Sequence, residues 1–145
     1  MAIPVLQANG CLPPGLYLAS LDEIWERFGS TSEQRRLLFQ RLQTFVTLAR
    51  HVGALRMFVN GSYVTAKTHP GDVDVVIWVD EAKFRQLVIQ EDELAMNLRE
   101  MLLTKEPKEA FAVFNENRWN AWLDFFSLIR NRPGEKKGLV EVQLR

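Results

Sequence analysis

The sequence holds a single cysteine, Cys11, in 145 residues. That excludes an internal disulfide and a cysteine-based zinc cluster. Histidine is nearly as scarce: His51 and His69 stand apart and form no metal-ligand pattern. Net charge is also lacking, with 18 Lys+Arg against 18 Asp+Glu, so no overall field draws the chain to nucleic acid or an anionic membrane. No apolar run reaches transmembrane length, and the N-terminus lacks a basic stretch followed by an apolar one. The expectation is a cytoplasmic protein with no membrane role. What remains is an ordinary globular composition, 47% hydrophobic and 25% charged. The length suits one domain over 1–145 with a core of its own, and neither a repeat nor a linker divides it.

Residues 1–19 include Leu12-Pro13-Pro14-Gly15 and read as an extended lead-in, because each proline keeps its predecessor out of the helical region. Ser20-Leu21-Asp22-Glu23 has the capping-box pattern, and Gly29 can stop the short helix that follows. Ser30-Thr31-Ser32-Glu33 opens a longer helix, with Leu38, Leu42, Phe45, Val46 and Ala49 at helical spacing. It should end near His51, with Gly53 as the stop. Arg35, Arg36, Arg41 and Arg50 follow its polar side, where a solvated face is the expectation and a local basic strip for RNA the alternative.

Residues 54–59 and 73–79 predict two strands, the second apolar at consecutive positions as expected when both faces are buried. Asp80 can cap another helix, and Leu94, Leu98, Met101 and Leu102 extend the helical pattern until Pro107 interrupts it. Residues 110–114 predict a third strand. Trp119, Trp122, Leu123, Phe126 and Ile129 are spaced for a helix lying on the sheet. The tail, 139–144, alternates like a half-exposed strand. The expected fold is α/β (α+β), with a small mixed central sheet and packed helices: a core motif region over 54–114, then a C-terminal helix and strand over 115–145. Trp25, Trp78, Trp119 and Trp122 are expected in the core or at an interface.

The informative chemistry is concentrated in one stretch. Phe58-Val59-Asn60-Gly61-Ser62 is followed, after nine residues, by Asp72-Val73-Asp74. Alternate residues of a strand share a face, so Asp72 and Asp74 would project together. Two such carboxylates repel unless a cation lies between them, and oxygen ligands suit Mg²⁺ or Mn²⁺. Gly61 permits close approach of the backbone to a ligand, and Ser62 offers a hydroxyl and an N–H to phosphate. Thr65, Lys67 and Lys83 lie nearby, either as solvated surface or as phosphate contacts. His69 is expected in an exposed loop.

Gly61-Ser62-x9-Asp72-x-Asp74 resembles the signature of the DNA-polymerase-beta-like nucleotidyltransferase superfamily. There a strand ends in Gly-Gly or Gly-Ser, a short helix follows, and the next strand carries two acids one residue apart. More narrowly, Leu12-Pro13-Pro14-Gly15, Trp122-Leu123-Asp124-Phe125-Phe126 and Lys137-Gly138-Leu139-Val140 look like small, uncharacterised bacterial proteins of the minimal nucleotidyltransferase type. The resemblance implies that Gly61, Ser62 and Lys67 bind a nucleoside triphosphate and that Asp72 and Asp74 are catalytic and hold Mg²⁺ or Mn²⁺. It also implies a third acid among the metal ligands, with Glu109 first by chain order and Asp124 and Glu116 as alternatives. The implied activity is transfer of a nucleotide monophosphate to a protein or tRNA acceptor, including roles in bacterial toxin–antitoxin or defence pairs. A catalytically silent protein of this fold, working through a partner protein, an RNA or a homodimer, is the other expectation.

Overall fold

A computed structural model describes residues 3–105 and 109–145. The lead-in loops irregularly to Gly15 and then forms β1 (Leu16–Ala19), a strand the proline content conceals. Ser20 caps α1 (Leu21–Ile24) through a complete capping box: its hydroxyl accepts from the Glu23 N–H, and the Glu23 carboxylate accepts from the Ser20 N–H. A wide helical turn, Trp25–Gly29, follows. Ser32 then caps α2 (Glu33–His51), which ends before Gly53, whose φ of 71° is costly for a residue with a Cβ.

Next come β2 (Arg56–Asn60), a single 3₁₀ turn (Ser62–Val64) and β3 (Asp74–Trp78). Asp80 caps α3 (Glu81–Ile89) and Asp92 caps α4 (Glu93–Thr104), each accepting from a backbone N–H three residues on. The expected break at Pro107 lies outside the described residues. Then β4 (Ala110–Val113), α5 (Glu116–Phe126, capped by Asn115) and β5 (Leu139–Val142) complete the order.

Among the described residues the five strands form one mixed sheet, ordered β1-β5-β2-β3-β4. β2 and β3 pair antiparallel with Asn60 opposite Asp74, and β3 and β4 run parallel. β5 is parallel to β1 and antiparallel to β2. The mixed sheet with packed helices has the α+β class expected from the sequence. The tail strand differs from expectation. It lies between two neighbours instead of half exposed, with Leu139, Val140 and Val142 buried. Its one charge, Glu141, is held in a bidentate pair by Arg56, with both contacts at 2.7 Å.

Odd and even strand positions divide the core in two. Met57, Val59, Val75, Ile77, Val140 and Val142 pack against α2 and its neighbours. Phe58, Val76, Val113 and Leu139 pack under α5 through Trp119, Trp122, Leu123 and Phe126. The arginines of α2 also depart from expectation. Arg35 is only 5% exposed and donates to four carbonyl oxygens, Arg41 pairs with Glu109, and Arg50 reaches the Leu144 carbonyl. Among the described residues no helix is long and apolar enough to cross a membrane.

Candidate active site

β2 ends at Asn60 and the chain leaves it through Gly61, at φ 89° and ψ −175°. This conformation is almost restricted to glycine. Its reason is close approach. A Cβ at Gly61 would sit 3.1 Å from Asp74 Oδ2 and 3.3 Å from Asp72 Oδ1. The two carboxylates of the motif therefore converge over the backbone of the Gly-Ser turn, although Asp72 lies before β3, which begins at Asp74.

The segment after the turn is pinned from below. Arg35 Nη1 donates to the Tyr63 carbonyl at 2.6 Å, and Nη2 to those of Thr65 and Lys67 at 2.8 and 2.7 Å. The Thr65 hydroxyl donates to the Ser62 carbonyl, the Ala66 N–H to the Gly10 carbonyl, and Gln34 to the Pro70 carbonyl. His69 is exposed and contacts Gln34 Oε1 at 3.2 Å.

Above the turn opens a cavity of about 680 Å³. Asn60, Gly61, Ser62, Thr65, Lys67, Asp72 and Asp74 line it from β2, the turn and the start of β3. The opposite side comes from the end of α5 and the loop after it: Phe125, Phe126, Ile129, Arg130 and Lys137. Burial, then the charges of Asp72 and Glu109, push the Asp74 carboxyl up to about 7, with Lys137 opposing. Lys137 is in turn lowered by burial, while Cys11 and Asp74 raise it. Asp74 thus lies in a region of concentrated negative charge, where a divalent cation would favour the ionised form.

A family whose description is "Family of unknown function (DUF6932)" matches residues 4–143. The chain belongs to that family. No curated protein and no solved structure matches the chain.

The structure brings together Gly61, Ser62, Thr65, Lys67, Asp72 and Asp74 around one cavity. It does not bring Lys83, whose ammonium packs against Gly53. Glu109 is buried beside β3, but its carboxylate is committed elsewhere: Arg41 Nη1 bonds both oxygens, and the Val73 N–H donates to Oε2 at 3.0 Å. Asp124 and Glu116 are exposed on α5, and neither lines the cavity. Among the described residues no group of three or more His, Cys, Asp or Glu side chains is disposed to hold a metal ion. Asp72 and Asp74 still fit a cation on their own geometry, two carboxylates over a glycine cradle.

Sequence reasoning assigned no role to Asn60, Arg130 and Lys137, or to the aromatic wall. The available signal was the pair of segments around Trp122–Phe126 and Lys137–Val140, quoted above for a likeness and not for chemistry. Both supply the far side of the cavity.

Proposed function

We propose that this protein is a metal-dependent nucleotidyltransferase that moves a nucleotide monophosphate from a nucleoside triphosphate to a protein or RNA acceptor. The observation that carries the reading is the convergence of Asp72 and Asp74 over Gly61 at the edge of a nucleotide-sized cavity. Asp72 and Asp74 would hold Mg²⁺ or Mn²⁺. When bound, the cation supplies charge neutralisation at the phosphates and orients the attacking oxygen. The chain's own groups do the remainder. Lys67, Arg130 and Lys137 line the cavity and would supply positive charge for the triphosphate, and the Gly61-Ser62 turn lets phosphate approach the backbone. Phe125 and Phe126 offer a planar base an aromatic face. Such chemistry depends on positioning and electrostatics, so few catalytic side chains are needed. A bacterial toxin–antitoxin or defence setting, inside the cytoplasm, follows from the family likeness and belongs to the same proposal.

One observation favours the second reading, a catalytically silent binding protein of the same fold. Glu109, the acid best placed by chain order to be the third metal ligand, is held by Arg41 and the Val73 N–H. Calorimetric titration with each nucleoside triphosphate and Mg²⁺, followed by transfer of labelled nucleotide to cell-extract acceptors, separates the two. The enzyme requires binding and transfer, both lost in Asp72→Asn/Asp74→Asn with the fold retained. Binding without transfer favours the silent protein; no binding removes the nucleotide reading altogether.

A further inference from the structure

Asn60 is the last residue of β2, and the register sets it directly across from Asp74. Directly opposed residues of an antiparallel pair project from the same face, with their Cβ atoms about 4.5–5.5 Å apart. Asn60 is 3% exposed, and its Oδ1 is buried without a hydrogen-bond partner. A buried amide oxygen left unpaired is costly, so such an atom calls for a ligand.

Two other buried atoms share that condition, Tyr63 OH and Trp119 Nε1, but neither residue lines the cavity between Gly61 and α5. Asn60 does. The side chain facing it, Asp74, is an acceptor when ionised and so is Asp72 beside it; neither then satisfies an amide oxygen. A cation held by the two carboxylates would also give the amide oxygen its partner. Asparagine carbonyls join carboxylates as ligands of hard divalent cations.

We infer that Asn60 Oδ1 is a third protein oxygen of the divalent-cation site formed with Asp72 and Asp74, standing where a third carboxylate would be sought. This rests on the reading of Asp72 and Asp74 as metal ligands. The site then holds a divalent cation with two carboxylates and one neutral amide, and Glu109 is free to serve the Val73 backbone and Arg41.

The experiment is Mn²⁺ binding to the full chain, followed by electron paramagnetic resonance at mildly alkaline pH without nucleotide. Asn60→Leu, of similar size and without the oxygen, is compared with Asn60→Asp, which adds charge at the same point, and circular dichroism checks the fold. The expected result is affinity weakened at least about tenfold in Asn60→Leu and tightened in Asn60→Asp. If Asn60→Leu binds Mn²⁺ as the wild type does, the inference is overturned while the Asp72/Asp74 reading stands. A wild type as silent as Asp74→Asn overturns both. If Asn60→Leu fails to fold, Asn60→Asp decides alone, and unchanged affinity there rejects Asn60 as a ligand.

Discussion

Arg41 Nη1 lies 3.1 and 3.0 Å from the two carboxylate oxygens of Glu109, tying the middle of α2 to the start of β4. The Glu109 side chain is 6% exposed and that of Arg41 about half exposed. Arg41→Ala would leave a buried carboxylate with the Val73 N–H alone, at an expected cost of about 1–3 kcal/mol in urea unfolding. Glu109→Gln should weaken Mn²⁺ binding far less than Asp74→Asn does, because this carboxylate faces an arginine and a backbone donor and acts on Asp74 only through its charge. A loss equal to that of Asp74→Asn would instead place Glu109 among the ligands.

Gly61→Ala tests the convergence directly. Its Cβ would enter the space the two carboxylates share, at a φ that L-residues avoid. The expected cost is about 1–3 kcal/mol of stability together with loss of divalent-cation binding. Gly71→Ala is the control. A Cβ there meets nothing within 4 Å, so stability should move by no more than about 0.5 kcal/mol.

Arg35→Met removes the donor of four hydrogen bonds to the carbonyls of Phe28, Tyr63, Thr65 and Lys67. Orphaning several acceptors should destabilise the fold by about 3 kcal/mol or more. Arg35→Lys should rescue little, since an ammonium cannot reproduce the planar fork. Hydrogen exchange at Tyr63 to Lys67 should accelerate before the sheet itself opens, and uniform acceleration across the sheet would contradict a local anchoring role.

The contribution of Asp74 to the stability of the metal-free protein should fall as pH rises. Asp74 keeps its proton up to about pH 7 in the folded chain against an ordinary 3.8 when unfolded, so between these values the native state binds more protons. The contribution is complete below the lower value and is lost as pH climbs through the upper one. In chelator, the melting temperature of the wild type should therefore fall relative to that of Asp74→Asn across that window. Added Mg²⁺ should oppose it, since the cation favours the ionised carboxylate. Identical pH profiles for the wild type and Asp74→Asn would exclude Asp74 as the responsible group.

What could be read in advance was local. The caps at Ser20 and Asp80, the two-sided burial of β3 and the common direction of Asp72 and Asp74 all follow from spacing and short-range chemistry. What escaped was set by distant neighbours. Arg35 occupies the polar side of a helical pattern, and nothing within α2 reveals that four carbonyls from outside the helix converge on it. Leu139 to Val142 alternate because Glu141 interrupts them, but Arg56 on the adjacent strand absorbs that charge and the position becomes interior. Asn60 carries no signal of its own beside Gly61, and its significance appears only once Asp74 stands opposite it.

The position of β5 governs how the molecule assembles. β2, β3 and β4 are consecutive strands and can associate soon after collapse, whereas β5 must join Leu139 to Leu16 on one side and Val140 to Val59 on the other. Such remote closures are slow relative to local ones. Asp72 and Asp74 belong to the early part, and Lys137 is delivered two residues before β5 inserts. Until that insertion the acidic pair stands without Lys137, which reaches the cavity only with the final zipping of the sheet.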